Sequence, residues 1–185
     1  RPADLDGLIA SLHAAKTRHY TKLLAQGGIP LRPGVARLLG EARTAGIRLA
    51  IATTTTPENV TVLLEHALAP EAVAWFEVIA AGDVVPAKKP APDIYQYALA
   101  KLGLAPEACL AFEDSENGLR AARGAGLRTV VTVNDYTRDQ DFTGAALVLD
   151  QLGEPHQPFR VLGSRTSLNG ARLFDLPLAR VLTGE

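Results

Sequence analysis

Four short stretches of this 185-residue chain carry side chains suited to handling charged oxygen. Asp4-Leu5-Asp6-Gly7 sets two carboxylates one residue apart before a glycine. In that arrangement one acid can attack an electrophile while the other moves a proton. Thr53-Thr54-Thr55-Thr56 stands directly before Pro57. Hydroxyls and free N–H groups at a helix start form an anion site, although plain helix capping, which one threonine satisfies, is the competing account. Lys88-Lys89 precedes Pro90 and Pro92; the prolines stiffen an extended loop that could aim an ammonium, or simply expose two surface lysines. Glu113-Asp114-Ser115 ends an apolar run. Such carboxylates suit Mg²⁺ with waters completing the shell, or else Asp114 or Ser115 caps the next helix.

The surrounding elements decide whether these groups can meet. Apolar spacing predicts helices over 3–26, 34–45, 57–68, 92–103 and 115–126. Short apolar runs at 48–53, 76–80, 109–114, 128–134 and 146–150 predict strands. Pro2 and Asp4 suit the first helix start, and Gly27-Gly28 its stop. Continuous apolar strands alternating with helices imply an α/β fold, a parallel sheet covered on both faces. Ligands of such sheets lie beyond the carboxyl ends of the strands. The threonines, a lysine and the acid pair follow successive strands, so they share one rim. Groups that hold phosphoryl oxygens, an ammonium that neutralises them and acids for Mg²⁺ make up a set for phosphoryl transfer.

The series RLAIATTTT, VVPAKKPAPDIY and CLAFEDSENGLRAARGAG resembles motifs two, three and four of the haloacid dehalogenase superfamily. Within it the chain resembles the branch of β-phosphoglucomutase, phosphoglycolate phosphatase and CbbY. TTTTPEN and AKTRHY look most like the CbbY-type sugar-bisphosphate phosphatases. The resemblance covers about residues 10–150 and implies a Rossmann-like three-layer core. It implies catalytic roles for Thr53, on the transferring phosphoryl group, and for Lys89 rather than Lys88, offsetting charge. Thr54 would add an N–H, with Thr55, Thr56 and Asn59 as further substrate contacts. Asp114, with Glu113 beside it, would hold Mg²⁺. Segment 10–26 resembles the end of a small helical cap, in which Lys16 would reach the far end of the substrate and His19, at i+3, a second phosphate.

The same resemblance bears on Asp4 and Asp6. The first motif of the family is a buried strand ending Asp-x-Asp-Gly-Thr, whose first aspartate forms an aspartyl-phosphate. Here Arg1-Pro2-Ala3 is too short and polar for that strand, and Leu8 stands where a hydroxyl belongs. Leu5, Leu8, Ile9 and Leu12 follow a helical stripe that continues to Tyr20, Leu23 and Leu24. DLDG therefore reads as a helix start, and the nucleophile is expected outside this chain, on a central strand between those bearing motifs two and four. Without that strand two buried edges lose their partners. The expected organisation is the end of a cap over 1–30, the core over 31–150, and an irregular, Gly- and Pro-rich extension over 151–185.

Composition narrows the function classes. Lys and Arg number 19 against 20 Asp and Glu, a net charge of −1, which argues against charge-driven nucleic-acid binding. Cys109 is the single cysteine, so no internal disulfide forms, and it reads as a buried small hydrophobe. No run is long and apolar enough for a membrane span, and the start lacks a signal-peptide build. A cytoplasmic, monomeric enzyme of small molecules is expected. The function implied is a Mg²⁺-dependent phosphatase of a sugar phosphate, such as xylulose-1,5-bisphosphate or a similar pentulose bisphosphate. A phosphomutase and a non-catalytic phosphate-binding module are the alternatives. A dinucleotide-dependent dehydrogenase is disfavoured, since no G-x-G-x-x-G joins a strand to a helix.

Overall fold

The structure, a computed structural model, describes residues 4–25, 29–165, 168 and 170–184. It contains helices α1 (Leu5–Ala25), α2 (Val35–Thr44), α3 (Pro57–Ala67), α4 (Asp93–Leu102), α5 (Glu116–Gly124) and α6 (Leu176–Thr183). The strands are β1 (Ala50–Ala52), β2 (Val78–Ala80), β3 (Leu110–Glu113), β4 (Arg128–Thr132), β5 (Leu147–Leu149) and β6 (Val161–Ser164). Every element expected between 34 and 150 is present, trimmed by a few residues at its ends. Pro2 and Gly27-Gly28, the expected bounds of the first helix, lie outside the described residues, as does the side chain of Leu24.

The sheet comes in two pieces. β1 pairs with β2 in parallel, and β3, β4 and β5 form a second parallel run. Among the described residues no strand pairs β1 with β3, so each has an edge without a strand partner. Both pieces are covered on two faces. Ala52, Val78 and Ala80 pack toward Ile94 and Ala98 of α4, while Ile51 and Ile79 pack toward Val60 and Leu64 of α3. In the larger piece Val130 faces Leu38, Phe174 and Leu178, and its neighbour Val131 faces Leu119 of α5. The alternation is that of strands buried on both sides.

The expectation for the tail requires correction. The tail after 150 is not irregular: β6 adds to β5 in antiparallel sense and α6 closes the chain. Leu152, Phe159, Phe174, Leu178 and Leu182 are all buried in the core beside β4 and β5. These elements are only 4 and 8 residues long and stand among glycines and prolines, so no period emerges from the sequence. Gly34 shows how closely the tail fits. Its φ is +88°, and a Cβ there would stand 2.6 Å from Gly153 O, a place for glycine alone. Arg37 fastens the same junction, donating from Nη2 to Gly153 O and Phe174 O, each at 2.9 Å.

Helix α1 forms as its spacing predicts, and Leu5, Leu8, Ile9, Leu12 and Leu23 on its apolar stripe are all exposed, with α3 as its main described contact. Cys109 is half-buried rather than buried; burial still pushes its thiol up, away from the reactive thiolate. No helix among the described residues is long and apolar enough to cross a membrane.

Candidate active site

β1 ends at the threonine run. Thr53 N–H donates to Ala80 O at 2.9 Å, continuing the ladder to β2, and its Oγ1 accepts from the Thr55 amide at 3.2 Å. Thr56 caps α3, accepting from Asn59 N–H at 3.4 Å. Asn59 is buried, and its Nδ2 donates to Thr55 Oγ1 at 3.3 Å. Asn59 thus braces the turn through Thr55 and Thr56. The capping account explains Thr56 and leaves Thr53, half-buried, and Thr54, exposed, at the open mouth of the turn.

The two lysines part company. Lys88 turns back on its own loop, donating to Gly82 O and Asp83 Oδ1, each at 2.5 Å. Lys89 crosses between the two pieces of sheet, with Nζ 2.9 Å from Ala52 O, at the end of β1, and 2.6 Å from Glu113 Oε1, at the end of β3. A lysine ammonium has three N–H donors. Two are thus placed, and the third has no described acceptor. The shared rim inferred from strand order is a physical contact, and Lys89 makes it.

Glu113 and Asp114 were expected to act together on a metal ion, and the structure separates them. Successive residues of a strand point to opposite sides. Glu113 turns inward, buried, and its Oε1 is occupied by Lys89 and by the hydroxyl of Tyr95. Its Oε2 lies over Gly118, where a Cβ would come within 1.9 Å. Asp114 turns outward, exposed, with Oδ2 accepting from Asn134 Nδ2 at 3.3 Å. No group of three or more Asp, Glu, His or Cys side chains among the described residues could hold a metal ion. Asp114 stays outside the ion pair that holds Glu113. Ser115, the alternative cap, does cap α5, accepting from Gly118 N–H at 3.2 Å.

Lys16 and His19 lie exposed on α1, and no hydrogen bond or ion pair joins them to a described residue of the rim. The DLDG stretch is a helix start: Asp4 Oδ1 accepts from Gly7 N–H at 2.7 Å and Asp6 lies in the first turn, both exposed. Two site residues escaped the sequence. Tyr95 sits among apolar helix residues and reads as core; burial, then the nearby Glu113 charge, pushes its phenol far above its ordinary range, so it stays a donor. Asn134 ends a strand as the threonines do, and the rule of looking just past each strand would have found it.

With this geometry in view, comparison with known proteins is direct. Residues 3–126 match the family described as hydrolase, haloacid dehalogenase-like hydrolase. The chain belongs to that family. It is 56% identical over 140 residues to Protein CbbY of Rhodobacter capsulatus, covering 76% of this chain and 62% of that protein. Against Protein CbbY of Cereibacter sphaeroides it is 53% identical over 146 residues, covering 79% and 64%. The fold is similar to the crystal structure of CbbY from Rhodobacter sphaeroides in complex with phosphate, with a TM-score of 0.73 and 52% identity over 82% of this chain and 66% of that one. A mutant of the same protein in complex with xylulose-(1,5)bisphosphate matches equally, with a TM-score of 0.73. The chain thus spans less than two thirds of the length of these relatives.

Proposed function

We propose that this chain supplies the phosphate-gripping part of a Mg²⁺-dependent phosphatase acting on a phosphorylated sugar, with a pentulose bisphosphate as the favoured substrate class. The observation that carries this reading is Lys89, which joins the ends of β1 and β3 beside Thr53. Thr53 and Thr54 would hold two phosphoryl oxygens while Lys89 offsets their charge. Asp114 is the ligand this chain offers to Mg²⁺, which when bound would neutralise further phosphoryl charge. Lys16 and His19 would engage the far end of the substrate from α1. The likeness to CbbY, one of whose structures holds xylulose-(1,5)bisphosphate, favours that substrate class.

The nucleophile in this reading is an aspartate from outside the described residues, on a strand that completes the sheet between β1 and β3. Its oxygen attacks phosphorus, the bond to the sugar oxygen breaks and a neighbouring acid protonates that oxygen. Water then attacks the aspartyl-phosphate, releasing inorganic phosphate and restoring the carboxylate. The edges of β1 and β3, which have no strand partner among the described residues, and the helical start at Asp4 and Asp6 support this placement.

The test compares the chain alone, its Asp4→Asn variant, and the chain fused behind the amino-terminal segment of a CbbY protein. Each is assayed with Mg²⁺ on sugar mono- and bisphosphates. Phosphate release by the fusion alone is expected. Turnover by the unfused chain that vanishes in Asp4→Asn would return the nucleophile to DLDG. An isomerised sugar phosphate in place of free phosphate would make the protein a mutase. A well-folded fusion that binds sugar phosphates without turnover would leave a binding module.

A further inference from the structure

The ion pair of Lys89 and Glu113 has a third member that the phosphatase reading does not use. Tyr95 of α4 is buried, and its hydroxyl donates to the same Glu113 oxygen that Lys89 contacts. The ammonium also lies 5.0 Å from the centre of the Tyr95 ring, within cation–π range. Tyr95 therefore touches both partners, with its hydroxyl on the acid and its ring facing the base. The acid is confined from the far side by Gly118, where a Cβ would stand 1.9 Å from Oε2. Between the phenol and the bare glycine, the carboxylate has one place to be.

That restriction reaches the rim through Lys89. A lysine side chain is long and loses much rotamer freedom when held in one pose. Its two anchors here are Ala52 O at 2.9 Å and Glu113 Oε1 at 2.6 Å. Ala52 O is backbone and fixed by the sheet, whereas Glu113 is a flexible side chain that must itself be held. We infer that Tyr95 is a positioning residue: its hydroxyl fixes the Glu113 carboxylate so that Lys89 is aimed at the mouth of the threonine turn. A tyrosine that merely filled the core would need its ring and not its hydroxyl.

This inference rests on the phosphatase reading for its kinetic test but carries a readout that does not need turnover. Tyr95→Phe keeps the ring and removes the hydroxyl. In the active fusion, kcat is expected to fall on the order of 10- to 100-fold, the size of effect that misplacing a reacting group produces, with KM within about twofold. In a Lys89→Met background the same substitution should cost little more, because its effect passes through Lys89. In the 185-residue chain as it stands, Lys89 should be acetylated faster by an amine reagent in Tyr95→Phe than in the unsubstituted protein, read by mass spectrometry. An unchanged kcat, or a loss that adds fully to that of Lys89→Met, overturns the inference, as does a drop in Tm alone. If no sugar phosphate is hydrolysed by the fusion, the phosphatase reading falls by itself. The labelling rate then decides the matter: faster supports the positioning role and an equal rate ends it.

Discussion

Lys88 and Lys89 are chemically identical neighbours with opposite environments, and the difference has a measurable consequence. Lys89 pairs with a buried carboxylate, so Lys89→Met strands Glu113 without its counter-charge. Breaking a buried pair in this way costs about 3 kcal/mol or more. Lys88 pairs with a fully exposed aspartate, and Lys88→Ala should change stability by about 0.5 kcal/mol or less. Urea midpoints of the two variants check this: equal shifts would mean that the Lys89 pair is as weak as a surface one. Gly118 belongs to the same argument. In Gly118→Ala the new methyl meets Glu113 Oε2, and the carboxylate can swing aside only by leaving Lys89 and Tyr95. A loss of about 1–3 kcal/mol is expected in the same denaturation experiment. In the sequence, prolines and a strand end marked the loop of both lysines, and the family resemblance singled out Lys89. Tyr95 was not legible there, because a buried tyrosine and a tyrosine aimed at a carboxylate look alike until the fold places the carboxylate.

Among the elements, the tail departs furthest from its sequence. Phe174 is fully buried between β3 and the rest of the tail core, its ring edge-on to Phe112 at 5.1 Å. Phe174→Ala should cost about 3–5 kcal/mol, measured as a lower unfolding midpoint; a loss within error would show that the tail docks on nothing essential. Asp150, where β5 hands over to the tail, adds a pH dependence. Burial pushes its carboxyl up, but the Arg160 backbone amide at 2.6 Å and guanidinium at 2.8 Å outweigh this and hold it below its ordinary value of 3.8. A depressed folded pKa stabilises above the unfolded value, and that contribution is lost as pH falls through the folded one. The stability gap between the unsubstituted protein and Asp150→Asn should thus be full at neutral pH and close below the ordinary aspartate range. A gap independent of pH would remove the carboxylate from the account. The helices and strands between 34 and 150 were legible because each buries a regular face, whereas the tail buries scattered residues from short elements.

For the whole molecule, the open edges of β1 and β3 set the behaviour. Unpaired strand edges recruit other strands, and Phe112 on β3 is 42% exposed although its strand neighbours are buried. The chain alone is expected to self-associate with rising concentration in sedimentation velocity, and the fusion that completes the sheet to stay monomeric. A chain that remains monomeric and unfolds cooperatively at every concentration would mean that these edges are already satisfied.

Local chemistry sufficed for much of this protein. Apolar periodicity placed the helices and strands from 34 to 150, and the strand-end rule brought the threonines, a lysine and the acid pair to one rim, because backbone geometry repeats wherever its pattern does. The helical stripe running on from Leu5 likewise turned DLDG into a helix start. Only the tertiary structure sent Glu113 inward and Asp114 outward, gave Tyr95 its carboxylate, folded the tail onto β5 and left α1 with its apolar side exposed. Those outcomes depend on which surfaces meet across long stretches of chain, and side-chain direction at a contact is decided by the partner as much as by the residue itself.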